Sequence, residues 1–472
     1  MRLLILFILS PFLLFSQVQI GSDIDGVTAG DQSGHISFSS DGNIVAIGGP
    51  GNDDTGEDAG HVRVFENISS NWTQIGNTIN GEAAGDNFGA SVSLSSDGSI
   101  VAIGAPYNDN GEIDAGSVSL FENISGTWTQ IGSDINGEAT GDRLGRFVSL
   151  SNDGTKLAIV REAEGWCEFE CGLSPGYTRI YENINGDWIQ EGQEINTGFD
   201  GVSDVKLSSN GGMVAIASPS GGIGGWSNYF SGGVKVYRNR SGVWTQVGQT
   251  FIADTCYWCS NYLGGVSFAN NGSKLAIIDS FNFRVYENID GDWIQQGEDV
   301  ELVNFYNKVS LSDDGTILAI GGIITRLYQI SSGNWTKLGD DINEETSGYG
   351  YQINVEFSSD GSKIAVGNSF NDGNDINADS GKVRVYDLST LLSAEESSRY
   401  SVKLYPNPTS NHFTIELPLS QTLEKVNIYN NIGQFIQTSN KQIINTSMLA
   451  SGLYFVEVVT TQGKAIKKLI IE

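Results

Sequence analysis

Cations are scarce in this 472-residue chain. Only 26 Lys and Arg stand against 56 Asp and Glu, a formal charge of −30. A surface of that sign repels phosphate backbones and anionic membranes, which excludes nucleic-acid binding. Three His and four Cys leave little material for transition-metal sites. With 8 Pro and 17% charged residues, the composition disfavours a coiled coil, a long helical bundle and a disordered acidic tail. Beyond the N-terminus no apolar run reaches the ~18 residues of a membrane-spanning helix. Nucleophile elbow, phosphate loop and H-E-x-x-H pair are all missing. Acidic pairs are too numerous to single out a glycosidase dyad.

What is present begins with an export signal. Arg2 precedes an apolar run from Leu3 to Phe15, broken only by Ser10 and Pro11, and Ser16 suits the position before cleavage. Residues 1–16 are therefore expected to be a signal peptide, which implies an oxidising destination. No Cys follows the run, so a lipid anchor is not expected.

Glycine is plentiful, at 60 residues, and it marks a repeat. A segment of the form V-S-L-S-S-D-G-x-x-V-A-I-G recurs seven times. Its turns are Asp41-Gly42, Asp97-Gly98, Asp153-Gly154, Asn210-Gly211, Asn271-Gly272, Asp314-Gly315 and Asp360-Gly361. Asp-Gly and Asn-Gly suit a two-residue hairpin turn with positive φ at both positions. A third strand follows each hairpin, as at Val62–Phe65 and Val383–Tyr386. A fourth is led by Trp72, Trp128, Trp188, Trp244, Trp293 and Trp335, whose expected role is packing between units. The seventh unit lacks a fourth strand, yet Val18–Gly21 copies Thr129–Gly132. An all-β fold is predicted: a seven-bladed β-propeller over residues 17–390, its last blade completed by the first strand.

Phe88-Gly89 with Gly104-Ala105-Pro106, and Gly48-Gly49-Pro50 in the first unit, make the array resemble the FG-GAP repeat of integrin-α-type propellers. The family often carries an Asp-rich calcium loop after the first strand. Here that place holds only Ser-Ser-Asp-Gly-Ser, too few carboxylates for such a site.

Composition shifts after a Ser/Glu-rich linker at residues 391–398. From Arg399 onward seven Lys and Arg face four Glu, so the tail carries +3 and the remainder −33. Alternating segments at His412–Leu417, Lys425–Tyr429, Leu453–Val459 and Ala465–Ile471 predict a small β-sandwich over residues 399–472. Tyr405-Pro406-Asn407-Pro408, Gly433, Gly452 with Tyr454, and Gly463-Lys464 occur in that order. Together they resemble the C-terminal sorting domain of type IX secretion. The resemblance implies that the secretion machinery is a partner, and that the protein reaches the surface or medium of a Gram-negative bacterium.

Candidate sites follow from strand direction. In an antiparallel sheet the second-to-third and fourth-to-first connections share one face. On that face loops vary in length, as binding loops on a rigid scaffold do. There lie the three Trp outside the repeat, Trp166, Trp226 and Trp258, with Tyr229, Phe230 and Tyr257. Such rings either stack on a ligand or form a satellite core under the loops. Cys167, Cys171, Cys256 and Cys259 occupy the same loops. Two local disulfides are expected in an oxidising space, with cross-pairing between the two loops left open and a four-cysteine zinc site as the alternative. Three further loops hold Asp53 with Asp58, Asp109 with Asp114, and Asp372 with Asp379, which either ligate calcium or form Asx turns on an acidic rim. His35 and His61 share the variable-face end of the first unit, but on strands about 10 Å apart, too far for a shared metal.

The functional expectation is non-enzymatic binding or adhesion to an extracellular glycan or protein, with no cofactor unless calcium. A polysaccharide lyase or hydrolase, or a structural surface-layer component, are the alternatives.

Overall fold

The computed structural model describes residues 17–161, 176–198, 201–218, 232–252, 264–279, 282–302, 306–322, 324–343, 353–371, 379–392, 402–417, 422–430, 434–460 and 463–472. The chain is all-β and divides into two compact units, Met1–Ser389 and Thr390–Glu472.

Seven antiparallel sheets make up the first unit, one per sequence repeat. In the first repeat the strands are His35–Phe38, Ile44–Gly49, His61–Ile68 and Asn71–Gln74, joined in order by hairpins. The second strands are continuous apolar runs because both their faces are covered by neighbouring sheets. Ala46, Val62 and Val64 of the first sheet share a core with Leu94, Val101 and Ile103 of the second. The first and seventh sheets likewise share one, built from Phe38, Val45 and Ile47 with Ala365, Val383 and Val385.

The turns between first and second strands differ from the two-residue expectation. Positive φ falls on the glycine, as at Gly42 (63°), and the preceding Asp stays out of the left-handed region. Ser39 N–H instead donates to Ile44 O across a four-residue loop of the kind built on a type I turn. The reason is side-chain chemistry. Asp41 Oδ1 accepts from the Ser39 hydroxyl and the Asn43 amide, while Ser39 Oγ accepts from Ile44 N–H. The fifth repeat has Ala269 in place of that serine, and there Asn271 takes φ 52° in a short 3₁₀ turn.

Each fourth strand is longer than expected and, except in the sixth repeat, where Asn334–Asn343 runs unbroken, it is split in two. After Asn71–Gln74 the chain kinks at Gly76 (φ 74°) and pairs again with the third strand at Ile79–Asn80. A Cβ on Gly76 would stand 2.8 Å from Trp128 Cδ1, so the kink also admits the next sheet's indole. The N-terminal segment repeats this form. Val18 and Gln19 pair with Asp387 and Tyr386, Gly21 takes φ 74°, and Ile24 and Asp25 pair with Val383 and Lys382. The fourth-strand tryptophans link adjacent sheets: the Nε1–H of Trp128 donates to Ile75 O, that of Trp244 to Glu191 O and that of Trp335 to Gln296 O. Trp72 donates to Ile20 O, joining the first sheet to the strand that completes the seventh.

First strands are tied one to the next by a repeated bond. Amides of Leu94, Leu150 and Leu207 donate to Ser37, Ser93 and Ser149 hydroxyls. Val266 N–H donates to Asp204, Leu311 N–H to Ser267 and Phe357 N–H to Ser310. The series returns to its start, because Glu356 of the seventh sheet accepts from Phe38 N–H and from the Ser37 hydroxyl. Ser359 N–H donates in addition to Ser40 O, at 2.8 Å.

The second unit has two sheets. One contains Lys403–Tyr405, His412–Glu416 and Ile443–Asn445; the other runs in the order Phe435–Ser439, Leu423–Asn430, Gly452–Thr460, Gly463–Ile471. Phe413, Ile415 and Ile444 of the first meet Val426, Ile428, Val456, Val458 and Leu469 of the second in one core. The four alternating segments seen in the sequence are strands. Of the other three, Lys403–Tyr405 and Ile443–Asn445 are too short for alternation to register, and Phe435–Ser439 buries neither of its faces.

Candidate functional site

Two kinds of place gather polar chemistry in the first unit: the loops leading out of the second strands, and the cavity between the first strands. The expected aromatic and cysteine loops, with Trp166, Cys167, Cys171, Trp226, Tyr229, Phe230, Cys256, Tyr257, Trp258 and Cys259, lie outside the described residues, as does Asp372.

The Asn-Asp loops of the first two repeats are built alike. Asn52 is buried, accepts from Asp54 N–H, and donates its amide to Asp31 Oδ1 at 3.1 Å. Asp53 Oδ1 accepts from Asp58 N–H at 2.8 Å, and Asp58 sits at φ 52°. In the second repeat Asn108 donates to Asp86 at 2.7 Å, Asp109 accepts from Asp114 N–H at 2.8 Å, and Asp114 sits at φ 50°. Asp379 of the seventh repeat has φ 41°, and Gly381 N–H donates to Asn371 O as Gly60 does to Asn52 O. These are Asx-type closures, in which carboxylate oxygens hold the loop's own backbone. Among the described residues no group of three or more His, Cys, Asp or Glu is arranged to hold a metal.

Sequence reading missed the acids that anchor these loops. Asp31, Asp86 and Asp142 are all buried, each in the segment before a first strand. The signal was legible as Gly-x-x-x-Gly-Asp at residues 26–31, 81–86 and 137–142. In the third repeat the partner is Arg161, whose Nε lies 2.6 Å from Asp142 Oδ1. Environment separates the acids. Burial pushes Asp31 upward, but the Thr28 hydroxyl and amide, Asn52 and the Val27 amide hold it below the ordinary carboxylate range. Burial wins at Asp86, where Ala83 replaces Thr28 and offers only an amide, so its carboxyl is raised.

The cavity is lined by first strands of all seven sheets and measures about 150 Å³. At one level stand Ser37, Ser93, Ser149, Ser267 and Ser310, with Lys206 and Glu356 taking the serine position in the fourth and seventh repeats. Burial raises the Glu356 carboxyl; Lys206 and the bonds from Phe38 and Ser37 oppose it. His35 is two residues before Ser37. Burial, then the charges of Lys308 and Arg146, lower its imidazole to about 4, so it is neutral at physiological pH. His61, on the third strand, is also lowered to about 4, by burial and by Arg63, against the opposing pull of Asp31 and Asp54.

In the tail, Asn407 joins the expected motif to the last strand: its amide donates to Lys468 O at 2.7 Å, and its Oδ1 accepts from Ile470 N–H at 2.9 Å. Tyr405 is 68% exposed, whereas Tyr454 is buried and donates its hydroxyl to Ala450 O. Gly452 opens a strand and Gly463 and Lys464 open the next, pairing with Thr460 and Val459. Gly433 lies outside the described residues. This order of motifs on this double sheet agrees with a family model, the secretion system C-terminal sorting domain, matched over residues 403–472. The tail is a secretion sorting domain. It makes the protein one that is exported to the cell surface or medium of a Gram-negative bacterium, with type IX secretion machinery as the partner of the sorting domain. Residues 78–121 match the FG-GAP repeat. Ulvan lyase NLR42 of Nonlabens ulvanivorans is 37% identical over 89 residues, 18% of this chain, and the chain spans only 16% of that protein. The solved hydrazine synthase of Kuenenia stuttgartiensis is 13% identical with a TM-score of 0.49, covering 77% of this chain and 97% of that one.

Proposed function

We propose that the seven sheets are the blades of a closed β-propeller and that the exported protein binds an extracellular glycan or protein through the loops on one face. The observation carrying this reading is the return of the series: the first and seventh sheets share a core, and the N-terminal segment supplies the seventh sheet's outer strands. Closure leaves no sheet edge exposed at the ends of the array. A rigid ring then presents loops whose length and composition vary without cost to the scaffold. Trp166, Trp226, Tyr229, Phe230, Tyr257 and Trp258 are the proposed ligand contacts, held in place by local disulfides Cys167–Cys171 and Cys256–Cys259. Cross-linked loops bear less ordering cost on binding.

A second reading, a polysaccharide lyase or hydrolase, is favoured by the short match to an ulvan lyase. A glycan array run beside a turnover assay on algal and plant polysaccharides separates the two. Binding without cleavage supports the first reading, and cleavage overturns it. Calcium at Asp53, Asp58, Asp109, Asp114, Asp372 and Asp379 is the alternative to Asx closure without a metal. It requires the melting temperature to rise between chelator and millimolar calcium, since a ligand of the folded state stabilises it.

A further inference from the structure

The arginine of the third strand has a fixed partner in most repeats. Arg179 holds Glu194, Arg284 holds Asp299 and Arg326 holds Asp341, each acid 15 residues further on. Arg384 finds the same partner in Asp23 of the N-terminal segment, and the second repeat keeps the acid, with Ser119 bonded to Asp134. At that spacing from Arg63 stands Thr78. Arg63 is 8% exposed and reaches instead across the seam between the first and seventh sheets. Its Nη2 donates to Asp25 O at 2.8 Å, while its buried Nε has no partner. Among the described residues no carboxylate is in ion-pair contact with it. Burial lowers the guanidinium, against the pull of Asp31 and Asp25, and a buried cation without a counter-ion is costly.

A second departure from the repeat meets Arg63 at this seam. The residue after the fourth-strand glycine covers the next sheet's tryptophan. Asn77 accepts from Trp128 N–H, Gln193 donates to Trp244 O and Gln249 to Trp293 O, and Glu298 stands in this place before Trp335. Those four indoles are at most 8% exposed. Serine holds the place in two seams, Ser22 before Trp72 and Ser133 before Trp188, and there the indoles are only half-buried. A serine side chain is too short to reach across. At the Trp188 seam, Arg179 is bonded to both Glu194 and Glu138. Among the described residues, the seam at Ser22 alone combines an uncovered indole with an arginine that lacks its acid. A cavity of about 280 Å³ lies there, between Ser22–Asp25 on one side and Arg63, Phe65 and Trp72 on the other.

We propose that this seam binds a single uncharged sugar ring, seated against Trp72 with its hydroxyls on Arg63, Asp23 and Asp25. A lining of both signs selects against net charge: an anion meets two carboxylates, and a cation meets a guanidinium. Sugar hydroxyls donate to the first and accept from the second, in charge-assisted bonds. The indole supplies the apolar wall that the ring's C–H face needs. At about 280 Å³ the cavity lies just below the range of pockets for drug-sized ligands, which suits one ring and not a chain. Both acids come from the N-terminal segment and the arginine from the first sheet, so the site exists only where the beginning of the chain has docked. It belongs to the first and seventh repeats, whereas the loop residues proposed above as ligand contacts belong to the third to fifth.

The test is saturation-transfer NMR titration of the full exported chain with the methyl glycosides of glucose, galactose and xylose, beside glucuronate and glucosamine. At least one methyl glycoside should bind, and both charged sugars more weakly. Ser22→Gln installs the residue that covers Trp244 and Trp293, and should weaken binding by about tenfold or more at an unchanged or higher melting temperature. Thr78→Glu restores the acid that Arg179 has in Glu194, draws Arg63 back to its own sheet, and should weaken binding as well. No response to any methyl glycoside, equal binding of glucuronate or glucosamine, or undiminished binding by both variants would overturn the site. Trp166→Ala tests the loops and Ser22→Gln the seam, so either reading can fail without the other.

Discussion

Ile24 offers the sharpest test of ring closure. It belongs to the N-terminal segment yet is 6% exposed, packed with Phe38, Val45 and Phe65 of the first sheet and Val383 and Val385 of the seventh. Truncation to Ala removes three buried carbons from a core shared by both ends of the array. The expected cost is about 2–5 kcal/mol, the range for large-to-small core changes. Val27, three residues on, is 55% exposed, and Val27→Ala should stay within about 0.5 kcal/mol. Next to Ile24, Asp23 holds Arg384 in a two-pronged bond, both contacts 3.0 Å, and Lys382 at 3.1 Å. Burial opposes ionisation of Asp23, but Arg384, Gln19 and Lys382 hold its carboxyl well below the ordinary range. Its contribution is therefore present above the unfolded carboxylate value and lost as pH falls below it. Solvent screening limits the coupling to about 1 kcal/mol, read from a double-mutant cycle of Asp23→Asn with Arg384→Gln. Urea unfolding of each variant measures these costs as midpoint shifts at constant slope. If Ile24→Ala and Val27→Ala shift the midpoint alike, or if deleting residues 17–24 leaves a soluble monomer of unchanged stability, the N-terminal strand does not close the ring.

Removing residues 403–472 should trap a folded first unit in the periplasm, and normal levels of the truncated protein in the medium or on the surface would refute the role of the tail. Trp128 is 4% exposed and bonded to Ile75, so Trp128→Ala should cost about 3–5 kcal/mol. Trp166→Ala, Trp226→Ala or Trp258→Ala should instead weaken ligand binding at unchanged melting temperature; loss of stability with normal binding by the survivors would make them a satellite core. Asp31 and Asp86 should respond to pH in opposite senses. Asp31 stabilises above the ordinary carboxylate value and loses that contribution as pH drops, whereas Asp86 is raised, so its cost sets in as pH climbs through the ordinary value. Ala83→Thr supplies the hydroxyl that Thr28 gives Asp31 and should raise stability at neutral pH; a fall in the urea midpoint there would refute the account.

Repetition made much of this protein legible in its sequence. A period of four strands, a turn residue at a constant place and an outer strand displaced to the N-terminus are local patterns, and each residue that carries them acts on its own hairpin. The sorting domain was legible for the same reason, through motifs in fixed order along one short tail. Even the turn type, expected as a two-residue form, yields to local chemistry once the Ser39–Asp41–Asn43 bonds are considered. What only the tertiary structure decided are relations between repeats. The sequence places Asp31 and Asn52 twenty-one residues apart, and nothing in either marks the bond between them. Asp23 and Arg384 stand 361 residues apart, and in sequence they look like two ordinary charges. Whether a charge is paired depends on which strands surround it. That is set by how seven similar sheets pack against one another, a property that no single repeat encodes.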